Sequence, residues 1–136
     1  MNERKAIVPA GMEAVYEKIR YAPAVKAGNT IYVSGQIGRD LAMQLVEGRE
    51  AQIVQAFENL KLVLEAAGAT LGDVVDLTTF HTDMRDLPLF MQVRDRYFTT
   101  DPLPAWTAVG AHMLGGSAGY IVEIKAVAVT ADQPRS

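Results

Sequence analysis

Strand-like alternation of apolar and polar positions recurs along this chain, and helical spacing occurs twice. The alternation is clearest near the end, where Val122, Ile124 and Ala126 would point to one side of a strand and Glu123 and Lys125 to the other. Segments of this kind, rich in β-branched residues, predict strands at residues 21–26, 31–36, 73–82, 105–111 and 120–129, with room for a short further strand at 6–8.

Helical spacing predicts one long helix over residues 50–67 and a shorter one after Asp86. Gly68 is a natural stop for the first, and Asp86 is expected to cap the second, with Pro88 in its first turn. Pro102 and Pro104 lie beyond its end. The apolar stripes are Ile53, Phe57, Leu60, Leu64 and Ala67 in the first helix and Phe90, Val93 and Tyr97 in the second.

Glycines predict two local features of the first strand pair. Gly28 and Asn29 both tolerate positive φ, so residues 27–30 are expected to close a hairpin. Gly35, directly after Ser34, predicts a β-bulge or a close backbone approach.

The resulting order, ββ-α-β-α-ββ, predicts an α+β fold. Two helices cannot cover both faces of a six-stranded sheet, so we expect an antiparallel or mixed sheet with both helices on one face. The other face would still carry Ile121, Val127 and Val129. An uncovered apolar face usually has a partner, which predicts a homo-oligomer packed through that face.

Composition narrows the classes of function. The 136 residues fit one domain, residues 1–136. The net charge of −3 and the scattered Lys and Arg argue against nucleic-acid binding. The chain has no apolar run near the roughly 20 residues of a membrane span, its first residues lack the apolar stretch of a signal peptide, and it has no Cys. We therefore expect a cytoplasmic protein without membrane contact, and two His make a His-rich metal site unexpected.

Two residues stand out as candidates for chemistry. Glu123 is a carboxylate within an apolar strand. In a structural role it would be paired with a cation or lie on an exposed strand face. In a functional role it would position a water molecule or donate a proton. Trp106, the only Trp, either fills a core or interface or lines a pocket.

Other polar residues fit simpler interpretations. His81 and His112 are expected to be hydrogen-bonded surface histidines, because neither has a Ser or Cys in a triad arrangement. Ser34 beside Gly35 is too common a pair to indicate a nucleophile. Residues 115–119 resemble a phosphate cradle only loosely, since they follow no strand-to-helix transition.

Several motifs together resemble the RidA/YjgF family of reactive-intermediate deaminases over residues 21–129. In order they are YAPAVKAGN, YVSGQIG, ENLKLVLEAAGA, DVVDLTTFHTDM, PAWTAV and VEIKAVAV. The resemblance implies a chorismate-mutase-like fold, in which a mixed sheet with two helices is closed as a homotrimer around a central β-barrel. It also implies hydrolysis of enamines and imines, such as 2-aminoacrylate, to a 2-oxo acid and ammonia, without a cofactor and between subunits.

The resemblance assigns roles to particular positions. In deaminases of the family, a tyrosine and a serine of the first hairpin line the site, and these positions correspond to Tyr21 and Ser34. A glutamate holds the attacking water, and its position corresponds to Glu123. The arginine of a P-A-R-[ST] motif clamps the substrate carboxylate, but that position is Trp106, followed by Thr107. A helix position that is often Asn is Met91. WTAVG, FHTD and VPAG resemble the YjgH-like branch, which lacks the arginine, and the segment from Trp106 to Glu123 is somewhat longer than usual.

Three hypotheses follow. The first is a cofactor-free hydrolase of a C=N or enamine compound other than a free 2-imino acid, with Trp106, Tyr21, Ser34, Met91 and Thr107 as substrate-binding residues. The second is a non-catalytic trimer that binds a small-molecule ligand beside Trp106. The third, a ribonuclease or translation inhibitor, is disfavoured by the negative charge.

Overall fold

The sequence folds into a mixed six-stranded sheet with two helices on one face. A computed structural model describes residues 3–131. The strands are β1 (Arg4–Ile7), β2 (Ala24–Ala27), β3 (Thr30–Ile37), β4 (Val74–His81), β5 (Ala105–Gly110) and β6 (Val122–Val129), and the helices are α1 (Arg49–Ala66) and α2 (Leu87–Tyr97). The sheet order is β1-β2-β3-β6-β4-β5. β4 and β5 run parallel and the other neighbours antiparallel, so the predicted mixed sheet is confirmed.

The boundaries differ from the predictions at three strands. The first strand begins earlier, at Arg4, and β2 begins only at Ala24, because Pro23 has no N–H to give to a ladder. β6 begins at Val122, since the preceding Tyr120 is buried in a small separate cluster with Ile37 and Leu114. A short π-helical segment, Val15–Ile19, was not expected from the sequence.

The core lies between the helices and one face of the sheet. All five residues of the predicted α1 stripe are buried, and Phe57 from this stripe contacts Phe90 of α2 with ring centroids 5.4 Å apart. Gly68 ends α1 with φ of +82°, as expected. No helix within residues 3–131 is long and apolar enough to cross a membrane.

The opposite face of the sheet, which we call the open face, carries no helix within residues 3–131, and at one end the small cluster of Ile37, Leu114 and Tyr120 packs against Phe80. The alternation of β6 is confirmed, because Val122, Ile124, Ala126 and Ala128 are buried under the helices. The open face carries Glu123 and several apolar side chains that are exposed or half-buried. These are Tyr32, Phe80, Val109, Val127 and Val129.

The prediction that Asp86 caps α2 was wrong about its side chain. Asp86 occupies the N-cap position, but its carboxylate accepts hydrogen bonds from Arg49 Nε at 3.0 Å and Nη2 at 2.7 Å. A 3₁₀ turn, Met84–Asp86, precedes the helix, and Asp83 caps that turn by accepting from the backbone N–H of Arg85 at 2.9 Å. Because Asp86 is buried, its carboxylate is stabilised by pairing with the Arg49 cation, and its side chain does not cap the helix.

Candidate functional site

Glu123 lies at the middle of the sheet, on the open face, against bare backbone. The pairing of β3 with β6 shifts register between Val33 and Gln36, which is the predicted bulge. A Cβ atom on Gly35 would overlap the Glu123 carboxylate. Glycine at position 35 therefore allows the carboxylate to rest directly on the backbone of the bulge.

The Glu123 carboxylate is half-buried and has no cation in contact. Burial raises its pKa, and the nearby charge of Lys125 lowers it in part. Within residues 3–131 no salt bridge or side-chain hydrogen bond involves Glu123. In the single chain, the interpretation of Glu123 as one half of an ion pair is therefore not supported.

Tyr21 and Ser34 lie close to the same bulge. Tyr21 precedes β2 and lines a small pocket together with Gly35 and Arg39. The Ser34 hydroxyl donates to the carbonyl oxygen of Ala22 at 2.6 Å. This bond ties the segment that follows Tyr21 to β3 beside Gly35.

Trp106 lies elsewhere, on the helix side of the edge strand β5. Its ring stacks on Phe90 of α2 with centroids 5.8 Å apart, and the guanidinium carbon of Arg94 lies 4.9 Å from the ring centroid. Its indole N–H donates to the Thr79 hydroxyl at 2.9 Å. Because this is the only donor of the indole, Trp106 offers a ligand only its ring surface.

His81 is not a surface histidine, contrary to the prediction. Its residue is only 2% exposed, because alternation along β4 places it with Leu77 and Thr79 on the helix side. His81 Nε2 lies 2.7 Å from Thr79 Oγ1. Burial lowers the pKa of His81, and Asp86 raises it in part. His112, by contrast, is exposed and lies just beyond β5.

The loop of residues 115–119 is held by a side chain of α1. Gln52 Nε2 donates to the Gly119 carbonyl oxygen at 2.9 Å, and Gln52 Oε1 accepts from the backbone N–H of Ile121 at 2.6 Å. These two hydrogen bonds anchor the loop to α1, so the loop serves as a structural connection to β6.

A single chain does not bring Trp106 and Glu123 together. Trp106 pairs with Leu77, whose side chain is on the helix side, whereas Glu123 pairs with Phe80 on the open face. Thr107 is exposed on the open side of β5, and Met91 is partly buried on α2. Trp106 and Met91 thus lie on the helix side of the sheet, whereas Glu123 and Thr107 lie on the open face.

Comparison with known proteins places the chain in a family. The family model described as Endoribonuclease L-PSP matches residues 12–130. The RutC family protein YjgH of Escherichia coli (strain K12) is 39% identical over 134 residues, covering 98% of this chain and 100% of that protein. This chain belongs to the RidA/YjgF family.

Two further RidA/YjgF comparisons bear on fold and chemistry. A solved structure titled Protein YJGH has a TM-score of 0.87 at 38% identity and covers 96% of this chain and 99% of its own. A 2-iminobutanoate/2-iminopropanoate deaminase of Dermatophagoides farinae is 41% identical over 113 residues, covering 80% of this chain and 84% of that protein. The YjgF-like fold predicted from the motifs is therefore confirmed.

Sequence reasoning missed two residues next to the position where RidA/YjgF deaminases have the arginine. Arg94 lies one helical turn after Phe90, and that spacing places both on one side of α2 facing Trp106. Thr79 shares the helix side of β4 with Leu77, so it could have been placed beneath α2 by period-two alternation alone.

Proposed function

We propose that this protein is a cofactor-free hydrolase of imine or enamine compounds other than free 2-imino acids. The observation that carries the proposal is Glu123, a half-buried carboxylate without a cation, resting on the glycine backbone of a bulge. A carboxylate in this setting can orient a water molecule and accept its proton as the oxygen attacks the C=N carbon. The overall reaction consumes one water and releases a carbonyl compound and ammonia.

The proposed site is shared between two copies of the chain in a homotrimer. Trp106 and Glu123 lie on opposite faces of one sheet, so a cleft that contains both needs Glu123 from one subunit and Trp106 from another. The open face offers apolar surface for such packing, since Tyr32 is 50% and Val129 43% exposed in the single chain.

The substrate preference follows from Trp106. An indole cannot form the two-point salt bridge that a guanidinium makes with a carboxylate, and the N–H of this one is already bonded to Thr79. The lost charge-assisted contact costs about 1.5–3 kcal/mol of binding. Free 2-imino acids are therefore expected to be poor substrates here, although a relative carries the name of a 2-iminobutanoate/2-iminopropanoate deaminase.

Ammonia release from imines formed in situ tests the proposal. An amino-acid oxidase supplies 2-imino acids, and a flavin-dependent amine oxidase acting on benzylamine supplies an imine without a carboxylate. The wild type is expected to accelerate the second reaction more than the first. Glu123→Gln should lower the rate by about 100-fold or more, the scale of general base catalysis, whereas Asp76→Asn, a carboxylate change on the same open face, should not.

Mixing of variants tests the shared site. Glu123→Gln and Trp106→Ala subunits, each impaired alone, should regain activity when they are dissociated and reassembled together, because some mixed sites then hold both wild-type residues. If the wild type accelerates neither reaction, the hydrolase proposal is wrong, whatever the activity of Trp106→Arg.

One observation favours the second candidate, a non-catalytic trimer that binds a small metabolite. Within its own chain the Trp106 side chain contacts Phe90, Thr79 and Arg94. These contacts hold the indole in place as a flat surface for binding, and they give it no role as a reacting group. An inert wild type, together with activity on 2-imino acids in Trp106→Arg, would favour this candidate over the hydrolase on an otherwise intact scaffold.

A further inference from the structure

We propose that His81 is a positioning residue of the ligand cleft, which sets the orientation of Trp106 through the hydroxyl of Thr79. The cleft is then in its binding form while His81 is neutral, and the ligand that it takes is a flat, uncharged group stacked on the indole. The inference rests on the proposed function in so far as Trp106 lines the ligand site.

The first step is that His81 contacts both groups that hold the indole. His81 Nε2 lies 2.7 Å from Thr79 Oγ1, and the same oxygen accepts the indole N–H of Trp106 at 2.9 Å. The imidazole ring also meets Phe90 edge-on, with ring centroids 4.9 Å apart, and Phe90 stacks on the indole at 5.8 Å. Two routes of contact therefore lead from His81 to Trp106, although the two residues lie on different strands.

The second step is the direction of the hydrogen bonds. The Thr79 hydroxyl has a single proton, and because its oxygen already accepts the indole N–H, this proton is left for His81 Nε2. Thr79 is fully buried, and its hydroxyl has no other hydrogen-bond partner within residues 3–131. The complete network therefore needs a neutral His81 whose Nε2 carries no proton and accepts from Thr79.

The third step is the effect of a proton on His81. An imidazolium donates from both ring nitrogens, so its Nε2–H competes with the indole N–H for the Thr79 oxygen and leaves the buried Thr79 O–H without an acceptor. The charged donor forms the stronger bond, which releases the indole N–H. Trp106 then loses the hydrogen bond that fixes its ring plane, and the surface that it offers to a ligand is less well held.

The charges around His81 set the pH at which this happens. Burial lowers the pKa of His81 below its ordinary value of 6.5, and the carboxylate of Asp86, itself bound by Arg49 of α1, raises it in part. We therefore expect the change in Trp106 on the acidic side of pH 6.5. The other charged groups on the packed elements face elsewhere: Asp83 binds Arg85, Arg94 lies over the indole, and Glu123 and Lys125 are on the open face.

Acrylamide quenching of fluorescence measures how firmly the indole is held, because Trp106 is the only Trp. Benzamide, which is flat and uncharged, is the ligand probe, and calorimetry on the full-length protein gives its affinity. As the pH falls through the pKa of His81, we expect quenching of the wild type to rise and its affinity for benzamide to fall about threefold to tenfold, the scale of one lost hydrogen bond.

Two variants of His81 separate positioning from packing. His81→Phe keeps a flat ring but removes the acceptor, so at every pH the indole should be more easily quenched and benzamide more weakly bound than in the wild type at neutral pH. His81→Gln supplies an acceptor that does not titrate, so it should restore affinity and abolish the pH dependence. His112→Gln is the matched control, because the other histidine of the chain is exposed, and it should keep the wild-type pH profile.

Circular dichroism establishes that each variant is folded, and the pH profiles of the wild type and His81→Gln decide the question even if His81→Phe does not fold. The positioning role is overturned if the pH profile of quenching persists in His81→Gln, or if His112→Gln abolishes it. Failure of the wild type to bind benzamide overturns the ligand class. None of these measurements needs turnover, so ammonia release that depends on Glu123 can fail while the quenching result holds, and the reverse.

Discussion

The indole N–H of Trp106 is hydrogen-bonded to the hydroxyl of Thr79, at 2.9 Å, beneath helix α2. The same hydroxyl oxygen lies 2.7 Å from Nε2 of His81. A hydroxyl can accept one hydrogen bond while donating another, so Thr79 can serve Trp106 and a neutral His81 together. This chain of contacts fixes the orientation of the indole from inside the protein.

Thr79→Val should destabilise the fold and loosen Trp106. Valine has nearly the same shape but leaves the indole N–H and His81 without their partner, which costs about 1–3 kcal/mol for a buried polar group. Thr79 is fully buried. Urea denaturation measures the free energy of unfolding, and Trp106 fluorescence reports the local change.

Thr78→Val is the control for this prediction. Thr78 is the neighbouring residue in β4 but is only partly buried and pairs with Lys125 and Thr107 on the open side. Equal losses of stability in the two variants would contradict a specific role for the Thr79 hydroxyl.

Gly35→Ala should destabilise the protein only while Glu123 is present. A Cβ at position 35 would overlap the carboxylate and the Cγ and Cδ atoms of Glu123, and overpacking of this kind costs about 1–3 kcal/mol. Glu123→Ala removes all of these atoms. Thermal or urea unfolding of the wild type, both single variants and the double variant gives the coupling between the two positions.

Gly110→Ala provides a comparison within a strand, because a Cβ there would be 3.9 Å from its nearest heavy atom, an ordinary contact. If Gly35→Ala costs as much in the Glu123→Ala background as in the wild type, the clash is with backbone rather than with the carboxylate.

Much of the fold followed from spacing alone, because periodicity records which side of an element is buried. The α1 stripe and the alternation of β6 both identified buried positions correctly. The glycine at position 35 indicated a bulge, and the bulge is there. Local sequence was a sufficient guide where a periodic pattern or a single glycine marks the feature, as in the α1 stripe and at Gly35.

The features that sequence did not reveal depend on contacts between distant elements. Asp86 has the residue type of a cap, but Arg49, remote in sequence, binds its carboxylate. His81 looked exposed because polar neighbours follow it, whereas its place in β4 buries it beneath α2. The engagement of the Trp106 N–H by Thr79 likewise needed the parallel pairing of β4 and β5, which no local pattern specifies.

Arg49→Ala should cost more stability than Arg85→Ala. Arg49 binds the buried carboxylate of Asp86, whose side chain is 11% exposed, and its loss would leave that charge without a cation. Because Arg49 itself is 57% exposed and partly screened, we expect a loss of about 1–2 kcal/mol rather than the full cost of a buried pair.

Arg85 is the matched case for the same measurement. It binds Asp83 at 2.7 Å but its side chain is 90% exposed, so solvent screens most of this interaction. A larger loss in Arg85→Ala than in Arg49→Ala, measured by urea denaturation, would contradict the ranking by burial.

Glu123→Gln should stabilise the protein at neutral pH. Burial raises the folded-state pKa of Glu123 above its ordinary value of 4.5, so the folded state holds this proton more tightly than the unfolded state. The contribution of Glu123 to stability therefore falls as the pH rises from 4.5 through the raised pKa. Glutamine cannot ionise, and the advantage of the variant should disappear below that window.

Urea denaturation across a pH series, at one protein concentration because assembly shifts apparent stability, measures this difference. Lys125→Gln serves as a second arm, since the charge of Lys125 lowers the pKa of Glu123, and its removal should move the window to higher pH. If the wild type is instead more stable than Glu123→Gln at neutral pH and loses that advantage on acidification, a cation from another subunit pairs with Glu123. That result would argue against a carboxylate kept available for water, and so against the hydrolase proposal.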